Sequence, residues 1–232
     1  DLPGDFTGGL VNVSTRDFPD DLTFKASLST GYNTNTTFND NYLTYEGSPT
    51  DWLGFDDGTR EVNPNYINLP PAPPIATDPA SQKELVTNST LEIANELEPE
   101  MQAAPVNYSG AISFGNRSTL FNKPFGYIGS LTYNRSFSGY DDGFAGRYKL
   151  LQGGGSINEE EALQDAQFID EVLVGLMVNG SLKLSDNNKI SLNLLRNQTG
   201  VSSSRFQDGR IQVASFDFFV ARTLYYEERE LK

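Results

Sequence analysis

Between residues 172 and 184 apolar and polar side chains alternate without a break. Val172, Val174, Leu176, Val178, Gly180, Leu182 and Leu184 fall on one side of an extended chain, and Gly175, Met177, Asn179, Ser181 and Lys183 on the other. A period of two is the mark of a β-strand with one oily and one wet face. At about 3.3 Å per residue this stretch reaches about 40 Å, and tilted near 40° it spans about 30 Å, the thickness of a hydrocarbon layer. Strands of water-soluble domains usually end at half that length.

Four further stretches carry the same pattern. Residues 22–32 set Leu22, Phe24, Ala26, Leu28, Thr30 and Tyr32 against Thr23, Lys25, Ser27 and Ser29. A second stretch places Tyr108, Gly110, Ile112, Phe114 and Leu120 on one face, and a third Phe125, Tyr127, Gly129, Leu131, Tyr133 and Phe137. Residues 189–197 follow the 172–184 strand, and a last strand runs from about 214 to 230, where Phe216, Phe218, Phe219, Tyr225 and Tyr226 leave the outward parity open. A short strand at 8–15 follows Gly8-Gly9 and is broken by Phe18-Pro19-Asp20-Asp21.

The connections alternate in length. Tight turns are expected at 122–124 and 185–188. Long polar excursions are expected at 33–105, rich in proline at 70–74 and with a helix at 79–97, at 138–170, with glycines at 153–155 and a helix at 158–169, and at 198–213. Short turns on one side and long loops on the other are the order of an outer-membrane barrel, with the long loops outside. Tyr32, Tyr108, Tyr133, Phe137 and Tyr140 then gather toward one rim, as an interfacial aromatic girdle does. The competing architecture is a soluble β-sandwich, which also alternates but buries its oily face under a second sheet.

Composition narrows the function. The chain has 31 acidic against 17 basic residues, a formal charge of −14. Nucleic acid is therefore an unsuitable partner, since a phosphate backbone calls for a basic stripe. Cysteine and histidine are both absent. Thiolate chemistry, the common zinc ligands and the usual neutral-pH base go with them, so no enzyme activity and no cofactor are expected. Mean hydropathy is −0.44, and no apolar run approaches the ~20 residues of a membrane helix; the inward residues of a barrel dilute hydropathy in the same way. Asp1 opens directly into Leu2-Pro3-Gly4 without a basic, then apolar, leader, and the chain reads as a mature protein or a piece of one.

The opening run from Leu2 through Gly8-Gly9-Leu10-Val11-Asn12-Val13-Ser14-Thr15-Arg16 resembles the junction of TonB-dependent outer-membrane receptors, where the plug ends and the barrel begins. Residues 51–60 (Asp-Trp-Leu-Gly-Phe-Asp-Asp-Gly-Thr-Arg) and 192–200 (Leu-Asn-Leu-Leu-Arg-Asn-Gln-Thr-Gly) resemble a branch with large surface loops. The resemblance implies an all-β chain: the end of a plug at 1–17, then, over 18–232, about six antiparallel transmembrane strands of a barrel of about 22. Long extracellular loops would carry short helices, and the remaining strands and plug would lie elsewhere in a longer polypeptide. It further implies the outer membrane of a Gram-negative bacterium and contact with its lipid and lipopolysaccharide. An energy-transducing TonB-type protein would be engaged through the missing N-terminal part, and a surface lipoprotein or other outer-membrane subunit is a further partner. The expected activity is energised uptake of a scarce solute captured by loops 33–105, 138–170 and 198–213. Alternatives are a docking subunit of an outer-membrane assembly and a secreted glycan-binding β-sandwich.

No catalytic, cofactor-binding or metal-ligating residues are assigned, and the substrate contacts are unknown. Asp56-Asp57-Gly58 and Asp141-Asp142-Gly143 offer oxygens for calcium but lack the spacing of a calcium loop and read as solvated turns. Glu159-Glu160-Glu161 diverge in direction and suit a helix start better than paired acid and base. Trp52, Tyr42, Tyr45, Phe55 and Tyr66 form either a stacking platform for a sugar or aromatic ligand or, preferably, a small core fastening the first excursion over the rim. Asn-x-Ser/Thr triplets such as those at Asn116, Asn134 and Asn179 fall in expected strands and reflect polar wall chemistry more than glycosylation.

Overall fold

The computed structural model describes residues 21–61, 99–150, 155–185, 187–211 and 216–231. The short strand expected at 8–15 and the helix expected at 79–97 lie outside the described residues. Eight strands follow in chain order: β1 Thr23–Gly31, β2 Leu43–Thr44, β3 Glu100–Met101, β4 Asn107–Leu120, β5 Lys123–Leu150, β6 Ile157–Ser185, β7 Asn188–Ile211 and β8 Phe216–Leu231. Six of them form one antiparallel sheet in the order β1-β4-β5-β6-β7-β8, and β2 pairs with β3 in a two-stranded ribbon. The sheet is a meander, each long strand lying beside its predecessor. The fold is all-β, and among the described residues the one helical element is the 3₁₀ turn Asp51–Leu53.

The alternating segments form strands because both faces of each are occupied by side chains that suit them. Cross-strand rungs keep like with like: Ala26 is opposite Ile112, Ile112 opposite Leu131, and Leu131 opposite Leu176. One register step later, Ser27 meets Ala111, Ala111 meets Thr132, and Thr132 meets Gly175. A slip of one residue would exchange the two sets. The hairpin between β4 and β5 closes through Phe121 and Asn122 at φ 52° and 58°, the doubly left-handed conformation whose twist matches the flanking strands. The turn after Ser185 is as short, and the Asn188 amide donates to Ser185 Oγ at 2.9 Å.

Two expected loops are strand instead. Residues 138–150 continue β5 and residues 157–170 open β6, which makes these strands 28 and 29 residues long. The helix expected at 158–169 is absent, and residues 198–211, expected as loop, belong to β7. Local composition favours a helix at 158–169, but all of these residues except the bulged Glu160 pair with β5, with β7 or with both. Arg147 lies 3.2 Å from Glu161, Lys149 3.7 Å from Glu160 and Arg210 2.8 Å from Glu159. Long-range pairing on both edges overrides propensity, and cross-strand charge pairs support polar strands as apolar ones do elsewhere. The glutamates expected at a helix start are thus rungs of a sheet. An irregularity between Tyr140 and Gly143 bends the upper part of β5, and a bulge at Glu160, opposite Arg147 and Tyr148, bends β6.

Candidate functional site

One face of the lower sheet is bare and oily. Phe24, Leu28, Ile112, Phe114, Leu131, Leu176, Val178, Ile190, Leu192 and Leu194 all stand exposed, from 38% at Leu176 to 81% at Leu28. A water-soluble monomer rarely shows so continuous an apolar surface, and no second sheet covers it among the described residues. On the opposite face Asn179 and Ser181 are buried, and Ser191 Oγ lies 3.2 Å from Ser181 Oγ.

The band crosses the sheet obliquely. Its upper edge is Tyr108 on β4, opposite Arg135; then Tyr133 on β5, opposite Val174; then Leu194 on β7, opposite Val178. The edge therefore moves along the chain by about two residues per strand, roughly 6.6 Å for each ~4.8 Å step across the sheet. A horizontal apolar layer cuts inclined strands in this way; the slope corresponds to an inclination of roughly 54°, steeper than that of most barrel strands. Aromatic rings mark both edges: Tyr108 and Tyr133 stack at 5.8 Å above, and Phe114, Tyr127 and Phe125 make ring contacts below, at 6.4 and 5.9 Å.

Above that edge the same face is covered. Residues 33–61 and 99–106, both parts of the first excursion, lie against it. Val172, expected at the top of the oily stretch, is only 2% exposed because Gly54 packs on the wall here, its ideal Cβ position 3.0 Å from Gly200 N and 3.5 Å from Val172 O. Higher still, Tyr42, Leu43 and Ala104 from the excursion close over Phe137 and Phe168 of the wall. Tyr42 stands edge-on to Phe137 at 6.1 Å and against Phe168 at 4.7 Å, and this burial pushes the Tyr42 hydroxyl well above its ordinary range. Thr36 Oγ1 donates to the Phe137 carbonyl at 3.0 Å, Gln198 Nε2 to the Gly54 carbonyl at 2.8 Å, and Tyr133 Oη to the Trp52 carbonyl at 2.9 Å.

The clasp has an ionic centre. Arg60 forms ion pairs with Asp51 and with Asp56, the latter at 2.6 Å, and its guanidinium lies over the Tyr226 ring at 4.1 Å. Asp56 also accepts from the backbone of Gly58 at 3.0 Å, while Asp57 Oδ1 accepts from Thr59 N at 3.1 Å, and hydrogen bonds with the Thr59 and Ser48 side chains lower its carboxyl from the ordinary value. The Asp56-Asp57-Gly58 run is thus a turn with its carboxylates engaged. Asp141 accepts from Asn39 and Asn41, each at 3.3 Å. Among the described residues no cluster of three or more His, Cys, Asp or Glu is arranged to hold a metal ion.

The aromatic expectations divide. Tyr42 is core, as the fastening reading requires; Trp52 and Phe55 are exposed, at 53% and 36%; Tyr66 is outside the described residues. Of the rim group, Tyr108 and Tyr133 sit at the band edge, Phe137 is buried beneath the excursion, and Tyr140 is on the polar face, donating to Asp165 at 2.8 Å. Asp165 also receives two bonds from Arg205, at 2.8 and 2.7 Å. That pairing holds its carboxyl below the usual range. The parity left open on β8 is now fixed: Tyr226 opposes Ser202, and Glu228 opposes Gly200, on the excursion side, with Tyr225 and Glu227 on the other.

Comparison with family models, with characterised proteins and with solved structures finds no match to this chain.

Proposed function

We propose that this chain is a stretch of the wall of an outer-membrane β-barrel and, by its resemblance to TonB-dependent receptors, part of a plugged transporter for energised uptake of a scarce solute. The observation that carries the reading is the bare oblique band: apolar across five strands, edged by aromatics above and below, and roughly 26 Å long along β5 from Tyr133 to Phe125. Lipid chains cover the band, and strands elsewhere in the polypeptide complete the cylinder, since unpaired sheet edges are not tolerated in hydrocarbon. Solute meets the polar face, and a TonB-type protein supplies the energy through the plug. A second reading keeps the wall but gives the outer excursion to protein contacts in a larger assembly. It is favoured by Phe38 and Met101, exposed on that excursion at 66% and 71%.

The chain is free of cysteine, which suits a direct test. In the full-length polypeptide reconstituted in vesicles, single cysteines at Leu176, Met177, Val178 and Asn179 are spin-labelled and probed with oxygen and a nickel chelate. Oxygen accessibility is expected to peak at Leu176 and Val178 and fall at Met177 and Asn179. Equal access of the chelate to all four positions overturns the reading. Uptake that persists without the TonB-type protein, together with recovery of partner subunits through the excursion, moves the function to the docking alternative.

A further inference from the structure

The segment Trp52–Phe55 does something its neighbours on the excursion do not. The 3₁₀ turn ends at Gly54, at φ 80°, and this turn sets Leu53 and Phe55 over Leu131, Val174 and Leu176 on the same side of the sheet, with Trp52, half exposed, beside them at the mouth of a polar cavity that Arg135 and Asp170 also line. Tyr133, the upper aromatic edge of the band on β5, holds the turn by its bond to the Trp52 carbonyl. Between turn and wall runs an open groove of about 470 Å³. Its lower lining is apolar, with Leu131, Val174 and Leu176; its loop side is Leu53, Phe55 and Asp56; its upper end is polar, with Gln198 and Glu228. Arg196 and Glu230 pair across it at 2.8 Å.

From this geometry we infer that residues 52–55 form a second membrane-contacting element, in which the excursion lays Trp52 and Phe55 into the boundary between acyl chains and headgroups of the outer leaflet, with an acyl chain entering the groove beneath Leu53. The inference rests on the wall reading above. The groove is continuous with the band and changes from apolar to polar in the direction the membrane does. Trp and Phe are left exposed there while Tyr42, on the same excursion, is sequestered in a core. An indole with an apolar body and a polar N–H suits that boundary, and a turn already fastened to the wall loses little freedom on meeting lipid.

The test uses the full-length protein in vesicles of outer-leaflet composition, with the photo-cross-linking residue p-benzoylphenylalanine replacing Trp52, Phe55, Leu176 or Asp57 in turn. Lipid adducts at positions 52 and 55 are expected within about threefold of those at 176, and at least about tenfold above those at 57, whose side chain faces water. Adducts at 176 with none above the Asp57 level at 52 and 55 overturn the inference and leave the wall intact. Absence of adducts at 176 as well removes the wall reading, and this inference with it. Should Trp52→p-benzoylphenylalanine fail to assemble, the Phe55 position carries the same decision.

Discussion

Where residue 54 meets residue 200 there is no space for a methyl group. A Cβ on Gly200 would lie 2.7 Å from Gly54 Cα and 2.8 Å from the Tyr226 hydroxyl, so the excursion approaches the wall backbone to backbone. Gly200→Val is therefore expected to lift residues 45–61 from the wall while leaving β6 and β7 paired. Limited proteolysis should then cut the excursion at least about tenfold faster, with hydrogen exchange in the sheet unchanged. A different kind of residue-scale economy operates at Asp165, 5% exposed and gripped by Arg205. Arg205→Ala leaves a buried carboxylate with only Tyr140, at a cost on the order of 2 kcal/mol given that the guanidinium is partly open to water. Because the folded carboxyl titrates below its unfolded value, the pair contributes fully above about pH 4 and is lost as pH falls through the lowered folded value. The check is amide exchange across the β6–β7 rungs as a function of pH: wild type should loosen only in acid, the variant already at neutrality.

At the scale of elements, the tight hairpin between β4 and β5 carries a strained residue. Phe121 adopts a left-handed backbone without the excuse of being Asn or Gly, whereas Asn122 beside it is well chosen. Phe121→Asn should stabilise the hairpin by about 1 kcal/mol, visible as a higher urea midpoint for refolding into vesicles. The apolar band makes the opposite demand on β6: Leu176→Arg, at its upper edge, should cost up to about 1 kcal/mol in a bilayer and Val178→Arg, one rung deeper, more, both read from the same folding equilibrium. The elements that surround the band were legible in the sequence because a period of two, sustained over 172–184, leaves little choice of structure. What escaped was the upper sheet. Glu159-Glu160-Glu161 and the polar run after Gly200 carry no apolar period; the glutamates meet Arg147, Lys149 and Arg210 across the sheet, and the run after Gly200 meets β6 through pairs such as Arg205 with Asp165. A linear reading has no access to such partners. The clasp was half legible: Tyr42 belongs to a fastening core as expected, but nothing in the residue order tells that Val172 lies under Gly54, or that Trp52 stays outside.

For the molecule as a whole, the consequence of an oblique band is that height across the band and position along a strand are different coordinates. Leu194 on β7 and Tyr133 on β5 mark the same edge although four register steps separate their rungs. The sheet is also open: β1 is paired on one side only, and β7 below Asn197 has no β8 partner among the described residues. Free edges beside a bare apolar face favour pairing with other chains. Expressed by itself in detergent-free buffer, this 232-residue chain is expected to sediment as aggregate, and a monodisperse soluble monomer in a sizing experiment would contradict the wall reading. Finally, the length of β5 sets a stature. From Tyr133 to its end at Leu150 the strand runs on for roughly 55 Å beyond the upper aromatic edge, so the sheet stands there as a tall palisade of hydroxyls and ion pairs with Phe144, Tyr148 and Leu150 exposed among them. If the band is a membrane layer, a molecule approaching from this side meets that parapet well before it meets lipid.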